Sequence, residues 1–493
     1  MIASLSGYGT TVSTLSKTDG CVAKEPVHHD LACQNGSRSR AIAFACLLWA
    51  LIMSEGYDFG VLNGAIVRIK EDLQCSAFEI SLLVAVTPLS VIPGSLIGGA
   101  LADWVGRWRS LLFCCMVLAA GPLGMACCSS KVALFAFRAL VGTGIGAGLV
   151  VVSMYLAEVS PTDLRGRLTL LEDVGLTVGM LLGYFANLLL LGMEDDWRWM
   201  LGLGAVVPLA VLSMLFLPLV PESPRWLFAV GKEDSAEETL MAFVGRAEAQ
   251  RSIAAMRAQQ REVEERRQQA AGGKSSGSPQ LSDWSSSVGD LRRSAGLRRM
   301  LTAGSAVCIG QTACGYLAIA YYSSSMLKDS IGERRAFMAT ISMGVAKLLV
   351  EVVVVLVLEQ VGRRPLLLAS AAATTAASAW LAFAFMFSLG AMEQALGFLL
   401  FMAGFSLGLG PICLVYIAEV FPTEWRAKGM SIVLFLSRSV GVASTVAFPL
   451  LIEYVGAGRT FMLQVAVNVA LFIALWRVVY ETGGQSLEEL AKV

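Results

Sequence analysis

The chain is 493 residues long, 56% hydrophobic and only 15% charged, a balance that excludes an ordinary water-soluble domain of this length. Its 38 basic residues offset 38 acidic ones, so the net charge gives no reason to expect nucleic acid or a polyanion as a partner. The two histidines, His28 and His29, sit together in a polar leader, which excludes a histidine metal site or proton relay within the membrane. The 11 cysteines lack metal or disulfide spacing and read as small buried hydrophobes.

In chain order, residues 1–40 form a Ser-, Thr- and Gly-rich leader without the apolar core of a cleaved signal peptide, and are expected on the cytoplasmic side. Six apolar runs follow at about 41–66, 80–102, 111–129, 132–157, 168–191 and 199–219, each long enough to cross a hydrocarbon core of about 30 Å as a helix. They predict an N-terminal six-helix bundle over 41–221. The polar stretch 222–299 predicts a cytoplasmic linker of short amphipathic helices with a flexible interruption near 272–287, too polar to bury a large core. Six more runs, at about 300–326, 336–358, 366–389, 395–418, 430–454 and 461–479, predict a C-terminal bundle over 300–480, followed by a cytoplasmic tail, 481–493. A backbone in lipid must satisfy its own hydrogen bonds, so the expected fold is all-α: a polytopic membrane protein with twelve transmembrane helices in two six-helix bundles.

Basic residues orient these spans. Arg38, Arg40, Arg107, Arg109, Arg165, Arg167, the arginine-rich linker, Arg363, Arg364, Arg426 and Lys428 all fall on one side, which the positive-inside rule makes cytoplasmic. An internal repeat supports the count. VGRWR at Val105 returns as VGRRP at Val361, AEVSPTDLRGR at Ala157 returns as AEVFPTEWRAK at Ala418, and Glu222 has a counterpart in Glu481. Offsets of about 260 residues predict a parallel duplication with a substrate site between the halves near mid-membrane.

The ordered set GYDFGVLNGA, GGALADWVGRWRS, RALVGTGIGAG, YLAEVSPTDLRGRL, PESPRWL, EQVGRRPLL, GPICLVYIAEVFPTEWRAKG and YETGGQSLEEL resembles the sugar porter family of the major facilitator superfamily, from about Glu55 to Leu490. Within that family the chain looks most like plant-type polyol/monosaccharide proton symporters, because of Asp173, Lys347 in GVAKLLVEV and Arg438. It departs from the family pattern at Thr312 and Leu317, which replace two ligand groups, and at Leu414, where a tryptophan is usual. The resemblance implies a secondary active transporter of a sugar or polyol, working by alternating access with a proton. Two alternatives stay open: a facilitative hexose, polyol or inositol uniporter, and a non-transporting nutrient sensor. No enzyme activity is expected, since no nucleophile, base and orienting group occur together.

An ionisable side chain at the bilayer centre costs at least about 2.5–3.5 kcal/mol, so each needs a partner or a pathway. Asp58, Arg138, Glu172, Asp173, Lys347, Glu351 and Arg438 are such residues. Asp58 is the expected proton carrier, switched by approach and withdrawal of Arg138; a static ion pair bracing two helices is the competing reading. Asp173, Gln311, Tyr321, Tyr322, Lys347 and Arg438 are the expected substrate-binding residues, able to donate to and accept from a polyhydroxylated ligand. Lys347 and Glu351, four apart on one helix, could instead neutralise each other. Glu172 and Asp173 point about 100° apart, so one of them is expected to face the cavity. The glycines of VGTGIGAG predict close helix packing.

Asp103, Arg107, Glu158, Arg165, Glu222, Arg225, Glu359, Arg363, Glu419 and Arg426 recur at cytoplasmic helix ends and are expected to form a gate, with Glu481, holding the halves together when the site faces outward. No cofactor or metal is expected. The expected partners are a small-molecule sugar or polyol, a proton and the lipid bilayer, for a monomer in the plasma membrane or an organellar membrane.

Overall fold

The computed structural model describes residues 27–159, 165–216, 220–244, 246–271, 295–421 and 425–482, and the regular structure among them is helical. The first half comprises α1 (Val27–Asp72), α2 (Ala77–Val105), α3 (Arg107–Cys127), α4 (Lys131–Val159), α5 (Arg165–Leu190) and a sixth span split into α6 (Asp196–Gly202) and α7 (Val206–Leu215). Three linker helices follow: α8 (Pro224–Ala229), α9 (Glu233–Val244) and α10 (Arg246–Ala271). In the second half, α11 (Ala295–Ala313) and α12 (Tyr316–Ile331) make the seventh span, α13 (Glu333–Val361) the eighth and α14 (Arg363–Met386) the ninth. The tenth is broken into α15 (Ala391–Ser406) and α16 (Ile412–Val420), and α17 (Arg426–Val455) and α18 (Ala457–Val478) complete the set. Eleven segments among the described residues are long and apolar enough to cross a membrane, and α15 with α16 supplies the twelfth crossing. Leu96, Leu189 and Leu349, between 63% and 78% exposed, show which faces lipid must cover.

Boundaries differ from the sequence reading where helix continues past the apolar run. The first helix begins at Val27, inside the expected leader, and α11 begins at Ala295, inside the expected linker. The linker helix α10 is 26 residues long rather than short, because its alternating Arg and Glu sequence favours helix without needing burial. Leu227, Phe228, Ala236, Leu240, Ala249 and Ile253 close a small core among α8, α9 and α10. The interruption at 272–287, residues 1–26 of the leader and residues 483–493 of the tail lie outside the described residues.

The duplication is visible in the packing. Helix α1 lies along α5, α2 along α4 and α3 against α6 and α7; in the second half α11 lies along α17, α13 along α15 and α14 along α18. Between halves, α2 meets α17 and α5 meets α13, two contacts that the repeat exchanges. Such an exchange is what a pseudo-twofold axis along the membrane normal produces.

Glycine sets how closely the first half packs. A Cβ on Gly56 or Gly60 would come within 1.9–2.1 Å of a backbone oxygen of α5, and one on Gly179 within 2.0 Å of Met53 O on α1. The VGTGIGAG glycines divide between two neighbours, Gly142 and Gly146 meeting α2 backbone and Gly144 meeting Leu118 of α3, so the expected close packing is present.

Candidate functional site

Helix α1 carries Asp58 into the first bundle opposite Arg138 of α4. Arg138 Nη1 donates to Asp58 Oδ1, with the arginine fully buried and the aspartate 7% exposed. Asp58 Oδ2 and Arg138 Nε and Nη2 are buried without hydrogen-bond partners. A buried pair satisfied on one side only recovers little of its desolvation cost. Tyr57 fixes this turn of α1 by donating its hydroxyl to Met200 O on α6 at 2.7 Å.

A second charged layer spans the two halves. Lys347 of α13 is fully buried and donates to Glu351 on the same helix, while Asp173 Oδ2 of α5 lies 3.8 Å from its Nζ across the interface. The neutralisation allowed by the four-residue spacing is therefore present. Lys347 also lies 5.8 Å from the ring centroids of Tyr316 and Phe405, themselves stacked at 4.1 Å. Asp173 Oδ2 accepts no hydrogen bond. Glu172, its sequence neighbour, instead accepts from Ser153 Oγ of α4 at 3.5 Å, so the two acids face different helices. Arg438 is partly buried on α17, within electrostatic reach of Glu55 on α1.

The other expected binding residues are less alike in setting. Gln311 donates to Gly410 O at 3.2 Å, tying the seventh span to the break in the tenth. Tyr321 and Tyr322 are buried with unpartnered hydroxyls, and Tyr321 packs on Phe59 at 5.2 Å. Thr312 bonds within the second half, to Ser437 O at 3.1 Å, and Leu414 is exposed.

At the helix ends beside the basic loops, the described ion pairs form within each half; the pairing between halves was expected for the outward-facing state. Arg107 Nη2 meets Glu158 at 2.9 Å and Arg363 Nη2 meets Glu419 at 2.9 Å, with Asp103 and Glu359 on the exposed flanks of the same arginines. The physical reason is spacing: each arginine starts a helix whose neighbour in the same bundle ends beside it. Glu222 Oε1 accepts from the Arg107 amide at 2.7 Å and Glu481 Oε1 from the Arg363 amide at 2.8 Å, capping α3 and α14. Each approach needs a glycine, since a Cβ on Gly106 or Gly362 would strike the capping carboxylate and both residues have positive φ, 96° and 88°. Arg225 is exposed, and the side chains of Arg165 and Arg426 lie outside the described residues.

The halves meet instead at the opposite end. Arg68 pairs with Glu333 at 2.8 Å, Lys328 with Glu71 at 2.6 Å, Asn63 donates to Ala320 O at 2.7 Å, and Ser324 donates to Asn63 O at 2.7 Å. These bonds tie the two halves together at the end away from the basic loops. Sequence reasoning missed these residues because their partners are about 260 positions away. It also missed Glu55, 4% exposed in the first span, although an acid inside an apolar run is itself a signal.

Two duplicated six-span bundles around buried charge define a polytopic membrane carrier. The chain belongs to the family of sugar (and other) transporters, whose model matches residues 44–493; it is thus an integral, multi-pass membrane transporter and not an enzyme. It is 32% identical over 480 residues to "Probable polyol transporter 4" of Arabidopsis thaliana, covering 95% of this chain and 88% of that one. It is 27% identical over 440 residues to "Glucose transporter GlcP" of Staphylococcus epidermidis, covering 88% and 93%. The inward-open xylose transporter XylE from E. coli shares the fold with a TM-score of 0.76 and 21% identity, over 92% of this chain and 99% of that one.

Proposed function

We propose that the chain carries a sugar or polyol across its membrane by alternating access, in symport with a proton taken up by Asp58. The observation that carries this reading is the Asp58–Arg138 pair, sealed inside the first bundle with its remaining polar atoms unsatisfied. Protonated Asp58 would release Arg138, and the charge left behind differs between the two facing states, which is how a proton gradient can drive the exchange. The similarity to a probable polyol transporter and to a glucose transporter supports the substrate class.

Asp173, Gln311, Tyr321, Tyr322, Lys347 and Arg438 are the proposed ligand groups, gathered where the halves meet. The two cytoplasmic networks around Arg107 and Arg363 are proposed to stiffen the inner rims, and to join across the halves when the site faces outward. We propose that the chain works as a monomer in the plasma membrane. Uptake of labelled glucose, sorbitol, mannitol and inositol into proteoliposomes, with and without a pH gradient, tests the reading. Accumulation of at least one of them under an inward proton gradient, abolished by Asp58→Asn, is expected; uptake indifferent to both gradient and substitution overturns symport.

A further inference from the structure

We propose that Glu55 is a second proton-binding carboxylate, receiving the proton from Asp58 and passing it by way of Glu172 to the cytoplasm. This rests on the proton-coupled reading above and deepens it. Glu55 is 4% exposed, and its Oε2 is buried without a hydrogen-bond partner. It lies three residues before Asp58 on α1, about 4.5 Å nearer the cytoplasmic end along the axis. Two small cavities lie along this helix inside the first bundle. One is lined by Asp58 with Ser54, Tyr57 and Met125, the other by Glu55 with Ile52, Ile145 and Val152, and Leu118 belongs to both.

The next acid continues the series. Glu172 of α5 is within electrostatic reach of Glu55 and accepts from Ser153, an exposed residue on α4. The charged groups facing Glu55 are Asp58 on its own helix, Glu172 and Asp173 on α5, and Arg438 on α17 in the other half. Three acids surround it against one cation, so a neutral Glu55 suits its neighbours on one side and an ionised one suits Arg438 on the other.

The transfer balances simply. The O–H bond on Asp58 breaks as one forms on Glu55, and Asp58, again a carboxylate, recaptures Arg138. Glu55 then gives the proton to Glu172, and Glu172 gives it to water at the cytoplasmic mouth.

The test uses the full-length protein in proteoliposomes, with labelled sorbitol and glucose as probes and a pH dye inside. Three readouts are taken: exchange of probe at equal pH, accumulation under a pH gradient, and probe-induced acidification of the lumen. Glu55→Gln is expected to keep exchange within about threefold while accumulation and acidification fall at least about tenfold, with Glu55→Asp recovering part of both. Retained exchange shows that the variant has folded; should Glu55→Gln not fold, Glu172→Gln carries the same expectation. Wild-type coupling together with undiminished acidification in the Glu55 or Glu172 variant overturns the relay alone. Absence of gradient-driven accumulation and of acidification in the wild type overturns the symport reading, and the relay with it.

Discussion

Glu222 and Glu481, 259 positions apart, make the same bond: each accepts the amide of the arginine that opens a helix, Arg107 at 2.7 Å and Arg363 at 2.8 Å. In each half the chain leaves its last span and returns to cap its third. A carboxylate at a helix N-terminus satisfies orphan amides and opposes the positive end of the helix dipole. Glu222→Ala and Glu481→Ala are each expected to cost about 1–2 kcal/mol, and the costs should add because the sites share no partner. Thermal unfolding of the purified protein in detergent, for both single variants and the double, measures this.

Either single replacement at the Asp58–Arg138 pair is expected to destabilise the first bundle by about 3–5 kcal/mol, because it leaves a buried group without its counter-ion. Arg138→Leu and Asp58→Leu should therefore each lower the yield of folded protein. Adding Asp58→Leu to Arg138→Leu should restore much of it, as read by size-exclusion profile and melting temperature.

The same logic applies at the interface. Lys347→Met leaves Glu351 and Asp173 without their shared cation, and a comparable loss of about 3–5 kcal/mol is expected, partly reversed in Lys347→Met/Glu351→Leu. If the double variant is no more stable than the single, the ion pair does not account for the burial of these groups.

At the outer mouth, Arg68→Ala and Lys328→Ala should shift the molecule toward the outward-facing state. Both pairs are partly exposed, so each is worth about 0.5–1 kcal/mol and each substitution should change the ratio of states about two- to fivefold. Distances between spin labels placed on the outer ends of α1 and α13 report it; unchanged distributions would show that these pairs do not hold the mouth closed.

Gly60→Leu and Gly179→Leu should prevent assembly of the first bundle, because their Cβ atoms would lie 2.1 Å and 2.0 Å from opposing carbonyl oxygens. A conformational shift cannot relieve a backbone clash repeated along two helices. Loss of monodisperse protein, against a normal profile for Gly99→Ala, where the nearest atom would lie 3.9 Å from the added Cβ, is the expected result.

Much of this architecture could be read from the chain because its rules are local. Span length, the basic loops and the return of VGR and AEV motifs fix the number of crossings and the duplication. The Asp58–Arg138 pair was legible because buried charge demands a partner. What could not be read is the choice among several possible partners. Lys347 takes both Glu351 and Asp173, one set by helix spacing and one by the meeting of halves. Arg107 and Arg363 bond within their own bundles because adjacent helix ends bring Glu158 and Glu419 beside them, a proximity no spacing in the sequence encodes. The ties of Arg68 to Glu333 and Lys328 to Glu71 join positions about 260 residues apart, a proximity that no local pattern in the sequence encodes.

The breaks in the seventh and tenth spans divide the labour of motion unequally. Helices α1 and α4 run through their half without interruption, while their repeats stop at Ala313 and Ser406 and begin again at Tyr316 and Ile412. Bending costs least where the hydrogen-bond ladder is already interrupted. The glycine-locked first bundle is thus suited to move as one piece, and closure around a cargo falls to short levers in the second, pivoting at Gly315 and at residues 407–411.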